Sequence, residues 1–214
     1  NARQIIIGGS DVLVAASSTV YSGIMGYFIT AWPTTESIAQ QVIPTDGTID
    51  LLTFRPSASP GQTVTATLML NGVATPLTTS TNSASIAHDT THTVSVSAGD
   101  KVSMRVVVAA AATSRTYSWS LRFTPARPGG TILLGNTVNT APTANQDVGI
   151  TGVIAPDSTE SKRALVIPEA SGVLKKLYVL ADSAPGAGTS VTFTVINNGS
   201  AGSNTVTISD ASTS

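Results

Sequence analysis

Most of one stretch of this chain is written twice, and that narrows the possible folds more than any other feature. Gly47 to Gly72, GTIDLLTFRPSASPGQTVTATLMLNG, returns between Gly172 and Gly199 as GVLKKLYVLADSAPGAGTSVTFTVINNG. Gly47, Leu52, Phe54, Pro60 and Gly61 match Gly172, Leu177, Val179, Pro185 and Gly186 at a constant offset of 125 (47 to 172, 61 to 186). After a two-residue insertion, Ala187 and Gly188, Val64, Ala66, Leu68, Asn71 and Gly72 match Val191, Phe193, Val195, Asn198 and Gly199. Two further anchors agree. Ile5 to Gly8 corresponds to Ile132 to Gly135, and Glu36 to Pro44 (ESIAQQVIP) to Glu160 to Pro168 (ESKRALVIP). A period of this length is a whole domain rather than a solenoid unit.

The periodicity inside the first copy is that of strands. Val64, Ala66, Leu68 and Leu70 alternate with Thr65, Thr67 and Met69; Tyr117, Trp119, Leu121 and Phe123 alternate with Ser118, Ser120 and Arg122. Side chains two apart share one face of a strand, so each run predicts a half-buried strand. Val102, Met104, Val106 and Val108 follow the same rule, and Val94 and Val96 face inward before an Ala98 to Asp100 turn. Asn71-Gly72 is the strongest hairpin signal, because both residues tolerate positive φ. The pattern predicts eight strands, near 24–31, 38–44, 49–55, 63–70, 74–80, 92–97, 101–108 and 116–123. Eight short strands suit a jelly roll or related sandwich.

The fold class is therefore all-β: tandem antiparallel β-sandwich domains of jelly-roll type, the second incomplete. The first, with an N-terminal arm, is expected over residues 1–130. The second is expected over 131–214, after the proline- and glycine-bearing seam Thr124 to Gly130. The second copy has no counterpart of Val94–Val96, Val102–Val108 or Tyr117–Phe123. Without them the Val191, Phe193 and Val195 face would lack a covering sheet and strand edges would stand open. The natural polypeptide is expected to continue past Ser214; the alternative is that a neighbouring subunit supplies the strands by β-augmentation.

Composition excludes several functions. Only 11% of the 214 residues are charged and the net charge is −1, so no basic surface is expected for nucleic acid or an anionic membrane. No apolar run approaches the roughly 20 residues of a membrane helix. The absence of cysteine removes disulfides, zinc–thiolate sites and thiol nucleophiles. What remains is a neutral, hydroxyl-rich surface of the kind common on extracellular proteins.

His88 and His92 are the only histidines. On an extended strand their rings would lie about 13 Å apart, too far for one ion, so they are expected to be surface polar residues rather than metal ligands. The carboxylates, among them Asp46, Asp89, Asp100, Asp157, Asp182 and Asp210, fall mostly beside Gly, Pro, Ser or Thr, as turn residues do. Glu36 and Glu160 match between copies, which a buried or capping role explains more simply than paired-acid catalysis. Trp119 belongs to an inward row. Trp32, before Pro33, is the better candidate for exposure; with Tyr27 it is the possible ligand contact, although a structural tryptophan closing one end of the sandwich is the simpler reading. No phosphate-cradling glycine loop, nucleophile elbow or dinucleotide fingerprint occurs, so no catalytic residue, cofactor or metal is assigned.

The repeated Gly-x-φ-x-x-Leu at Gly47 and Gly172, the Pro-Gly pairs at Pro60 and Pro185, the threonine-rich alternation into Asn-Gly, and VSVSAGDKVSMRV from Val94 to Val106 together resemble the β-sandwich repeats of tailed-bacteriophage structural proteins. Those are capsid decoration or cement proteins and tail or fibre proteins. The AGDKVSMRV segment also resembles the late strands of jelly-roll trimers in the complement and tumour-necrosis-factor group. The first resemblance implies a non-enzymatic protein at a virion surface, partnered by capsid or tail proteins; the second implies self-association, as a trimer. In such a protein the N-terminal NARQIII could lie on the capsid or pair with a neighbour's edge. The alternatives are a carbohydrate-binding or host-adhesion module contacting a surface glycan, and an ancillary domain of a glycan-degrading enzyme.

Overall fold

The computed structural model describes residues 3–28, 31–137, 145–153, 155–165 and 173–214. Among the described residues of the first sequence copy, ten strands build a sandwich: β1 (Gln4–Ser10), β2 (Ser18–Ser22), β3 (Gly26–Phe28), β4 (Gln41–Val42), β5 (Gly47–Pro56), β6 (Val64–Leu70), β7 (Val73–Thr81), β8 (Ala87–Val96), β9 (Lys101–Val108) and β10 (Tyr117–Pro125). One sheet runs β3-β1-β10-β5-β8 and the other β2-β9-β6-β7, with β4 on β9. Set the short β3 and β4 aside and count the other eight in chain order. The sheets then read 1-8-3-6 and 2-7-4-5, the topology of a jelly roll.

The alternation in the sequence is what closes this sandwich. Tyr117, Trp119, Leu121 and Phe123 of β10 and Val102, Met104, Val106 and Val108 of β9 are buried, and they meet Ile49, Leu52 and Phe54 of β5 and Val64, Ala66 and Leu68 of β6 in one core. Each valine, leucine, isoleucine, phenylalanine or methionine among them contributes roughly 1.5–3 kcal/mol by leaving water. In β5 the alternation breaks at Leu51, which takes φ 52° and is skipped in the pairing with both β8 and β10. That one-residue bulge lets Ile49 and Leu52 both face the core. Gly8 sits opposite Trp119, and a Cβ there would fall 2.4 Å from the indole Nε1, so only glycine lets the ring lie across β1.

Several expected elements differ. The N-terminal stretch is no free arm: Gln4 to Gly9 pairs with Phe123 to Ser118 of the same chain, and Ile6 is buried while Ile5 and Ile7 face outward. β2, with the sequence STVYS, lacks an apolar pattern and was not expected; it is held by antiparallel pairing to β9. The strand expected near 38–44 is a 3-10 turn, Glu36–Ala39, followed by the two-residue β4. Here the buried Gln41 side chain substitutes for a ladder. Its Oε1 accepts the Met25 N–H at 3.0 Å and its Nε2 donates to the Met25 carbonyl at 2.9 Å. The strand expected at 24–31 is described over 26–28, where β3 lies parallel to β1.

Beyond the seam, Ile132 and Leu134 are buried in the same core, and the Gln4 side chain brackets the Ile132 backbone from both sides, at 2.8 Å to its N–H and 2.8 Å to its carbonyl. The chain then forms β11 (Gly135–Asn136), β12 (Gly152–Val153), a 3-10 turn at Glu160–Lys162, β13 (Gly186–Asn197) and β14 (Ser200–Asp210). β11 and β12 make one two-stranded sheet, β13 and β14 another.

These later elements repeat earlier ones in register. Gly8 pairs with Gly26 in the parallel β1–β3 ladder, and Gly135 with Gly152 in the parallel β11–β12 ladder. In the β6–β7 hairpin Val64 faces Thr81, Ala66 faces Thr79 and Thr67 faces Thr78; the ladder then slips, and Met69 faces Ala74. In β13–β14 Val191 faces Ile208, Phe193 faces Val206 and Thr194 faces Thr205; the ladder slips at the same place, and Ile196 faces Ala201. Every one of these hairpin positions is displaced by 127 (64 to 191, 81 to 208), as is Gly8 to Gly135, while Gly26 to Gly152 is 126. The turns agree, with Asn71 and Gly72 at φ 52° and 82°, Asn198 and Gly199 at 50° and 76°. Lys176, 125 after Leu51, has the same left-handed backbone at φ 60°. The counterpart of β5 is nevertheless not a strand: residues 173–180 carry no ladder. β5 is held by β8 and β10, and neither has a sequence counterpart after residue 131. The β1 counterpart also differs, burying Ile132 and Leu134 and exposing Leu133 where β1 buries Ile6.

Candidate functional site

The histidine pair does not converge. His88 Nδ1 meets Thr53 Oγ1 at 3.2 Å on β5, whereas His92 Nδ1 bonds Asp89 Oδ2 at 2.9 Å. Among the described residues no three His, Cys, Asp or Glu side chains group as a metal site. The buried member of the cluster is Asp89, which was expected only as a turn residue. Its carboxylate accepts the Thr78 N–H at 3.0 Å, the Thr91 N–H and hydroxyl at 3.1 Å each, and the His92 N–H at 3.2 Å, besides the His92 ring. Burial works to raise its pKa. The hydrogen bonds from His92, Thr78 and Thr91 outweigh burial and hold the carboxyl well below its ordinary 3.8. Thr78 is on β7 and Asp89 on β8, so this carboxylate ties one sheet to the other at their shared edge. The signal was present in Asp-x-Thr-His, but the Thr78 contact is eleven residues distant.

Trp32 is 8% exposed, and the structure places it in the core instead of at a ligand-facing surface. Its Nε1 donates to the Val12 carbonyl at 3.1 Å, and its ring lies 5.9 Å from that of Trp119 and 6.5 Å, edge to face, from that of Tyr117. The indole is thereby used in packing against two other aromatic rings. Tyr27 pairs with Gly9 in the β3–β1 ladder; its side chain lies outside the described residues.

Glu36 and Glu160 both open 3-10 turns. In neither turn does the N-cap residue, Thr35 or Thr159, make a side-chain capping bond. Glu36 instead accepts the hydroxyl of the buried Ser103 on β9 at 3.0 Å, which locks its turn to the β2-β9-β6-β7 sheet. Glu160 is exposed, with Oε2 4.0 Å from where a Cβ on Gly199 would stand, beside the β13–β14 turn.

The surfaces suited to contact are apolar, hydroxyl-lined and nearly uncharged. Ile5 and Ile7 are 60% and 67% exposed on the outer face of the β3-β1-β10-β5-β8 sheet, beside the Arg122–Asp50 pair, whose guanidinium donates to both carboxylate oxygens at 2.8 and 2.6 Å. On the hairpins, paired hydroxyls recur: Thr65 with Ser80 at 2.8 Å and Thr67 with Thr78 at 2.9 Å, then Thr192 with Thr207 at 2.9 Å and Thr194 with Thr205 at 3.3 Å. Such pairs satisfy hydroxyls across a ladder without charge. Among the described residues no helix is long and apolar enough to cross a membrane. No protein-family model matches the chain, and a search of curated proteins finds no significant match.

Proposed function

We propose that this chain is a non-enzymatic structural protein of a virion surface, a capsid decoration or cement protein or a fibre component, that works by assembling with other virion proteins and with copies of itself. The observation that carries the reading is the duplication of the β6–β7 hairpin as β13–β14, with the same register, the same slip and the same hydroxyl pairs. Repeating a rigid β unit serves a scaffold, which needs repeated contact geometry; a single catalytic centre gains nothing from it. Tandem sandwiches are part of this proposal, residues 131–214 forming the second unit. The exposed Ile5 and Ile7 supply an apolar contact surface, and the low charge suits close packing against neighbours. The virion location rests on the sequence resemblance to tailed-phage sandwich repeats.

Antibodies against the purified chain, applied to intact particles of tailed phages that encode it, test the proposal. Regular labelling of capsid or tail supports it. Co-purification with soluble metabolic proteins and no labelled particle overturns it.

A further inference from the structure

The outer face of the β2-β9-β6-β7 sheet carries a cation that no acid of the sandwich neutralises. Tyr21 of β2, Arg105 of β9, Thr67 of β6 and Thr78 of β7 stand opposite one another in register, so their side chains form one row across the sheet. Val20, Val106, Ala66 and Leu77, next to them in sequence, point into the core, which turns the row outward.

Arg105 is half-buried, and its Nε is fully buried with no acceptor. Among the described residues it forms no ion pair. Arg122 on the opposite sheet shows the contrast, with Asp50 accepting at 2.8 and 2.6 Å. Glu36 reaches the same face as Arg105, yet its Oε1 is taken by the Ser103 hydroxyl at 3.0 Å and the Gln40 amide at 3.4 Å. A guanidinium stripped of water at one nitrogen and left without a counter-charge is an unsatisfied group whose complement is an oxyanion.

The surroundings narrow the ligand further. β9 and β6 each lie between two strands, so no backbone edge is on offer and recognition falls to side chains. Those side chains are an aromatic ring, Tyr21, and the hydroxyl pairs Thr65–Ser80 at 2.8 Å and Thr67–Thr78 at 2.9 Å. One cation amid hydroxyls matches a single acid group on a polar ring; a polyanion would need a basic surface, and the chain carries a net charge of −1.

We propose that this face is a binding site for an acidic sugar of the uronate type, a saccharide ring bearing one carboxylate. The carboxylate is held by the terminal nitrogens of Arg105, the ring lies along Tyr21, and the sugar hydroxyls exchange hydrogen bonds with the threonine and serine pairs. The inference uses the first sandwich alone and stands apart from the virion reading.

The test titrates the full chain with trigalacturonate, following backbone amide shifts by NMR and affinity by calorimetry. Saturable binding is expected, with shifts centred on Tyr21, Thr67 and Arg105. Arg105→Gln should weaken it about tenfold, while Arg55→Gln, at an exposed arginine of β5, should change it by less than about twofold. Four results overturn the proposal: no saturable binding by the wild-type chain, equal affinity for the uncharged trigalactose, equal affinity in Arg105→Gln, or equal affinity for triglutamate. The last would make an acidic polypeptide the ligand, and only the third depends on a folded variant.

Discussion

The carboxylate of Asp89 on β8 accepts the backbone N–H of Thr78 on β7 at 3.0 Å, joining the two sheets of the first sandwich through one side chain. Four further donors converge on it, from Thr91 and His92. Asp89→Asn removes the charge and part of the accepting capacity while keeping the shape. It is expected to cost about 1.5–3 kcal/mol at neutral pH, the scale of hydrogen bonds to an ionised group. The pH dependence follows from the depressed pKa of the folded state. The contribution of Asp89 is complete above the ordinary carboxyl value of 3.8, shrinks as pH falls below it, and vanishes once pH falls below the folded-state pKa. Urea unfolding at several pH values should therefore show wild type and variant converging in acid; a constant gap would show that the charge is not what matters.

Gly8→Ala puts a methyl group where the Trp119 indole lies. With β1 paired to β10 on one side and β3 on the other, the backbone has little room to yield. A loss of about 1–3 kcal/mol is expected, the usual cost of overpacking. It should appear with a red shift of tryptophan emission as Trp119 leaves its site. Wild-type stability and spectrum would refute the close packing.

Trp32→Ala should cost about 3–5 kcal/mol by opening a cavity beside Trp119 and Tyr117, and Trp32→Phe much less, since it forfeits mainly the bond to the Val12 carbonyl. Thermal melts rank the two. Equal and small effects would mean that Trp32 is not part of the core.

Much of the first sandwich is legible in the sequence, for a physical reason. β6, β9 and β10 alternate because one face of each lines the core, and Asn71-Gly72 and Asn198-Gly199 announce hairpins because few other pairs accept two positive φ angles. β9 was expected over the same residues that form it. What escapes is whatever depends on residues distant in sequence. Gln41 acts as a ladder partner for Met25, and Asp89 as a clamp on Thr78, only because the fold brings them together. β1 reads as a loose arm because Ile5-Ile6-Ile7 has no polar alternation, although just the middle residue is buried. Trp32 beside Pro33 reads as a loop residue until Val12, Trp119 and Tyr117 surround it.

The matched turns separate global from local stability. Gly72→Ala and Gly199→Ala each force an L-residue into positive φ and should each cost about 1 kcal/mol. Gly72→Ala should lower the main unfolding transition, because β6 and β7 frame the core. Gly199→Ala should leave that transition in place and raise hydrogen exchange in β13 and β14 alone. Equal loss in the main transition would join the second hairpin to the first sandwich as one cooperative unit.

The repeat itself can be measured with cysteine pairs, since the chain has no cysteine of its own. Thr65 and Ser80 face each other across the first hairpin, and Thr192 and Thr207 across the second, with hydroxyls 2.8 and 2.9 Å apart. Changing each pair to cysteine and oxidising mildly should give an intramolecular disulfide in both, and little when one partner is moved by a single residue to the opposite face. A disulfide at 65 and 80 with none at 192 and 207, or efficient closure in a shifted pair, would contradict the duplicated register on which the scaffold account stands.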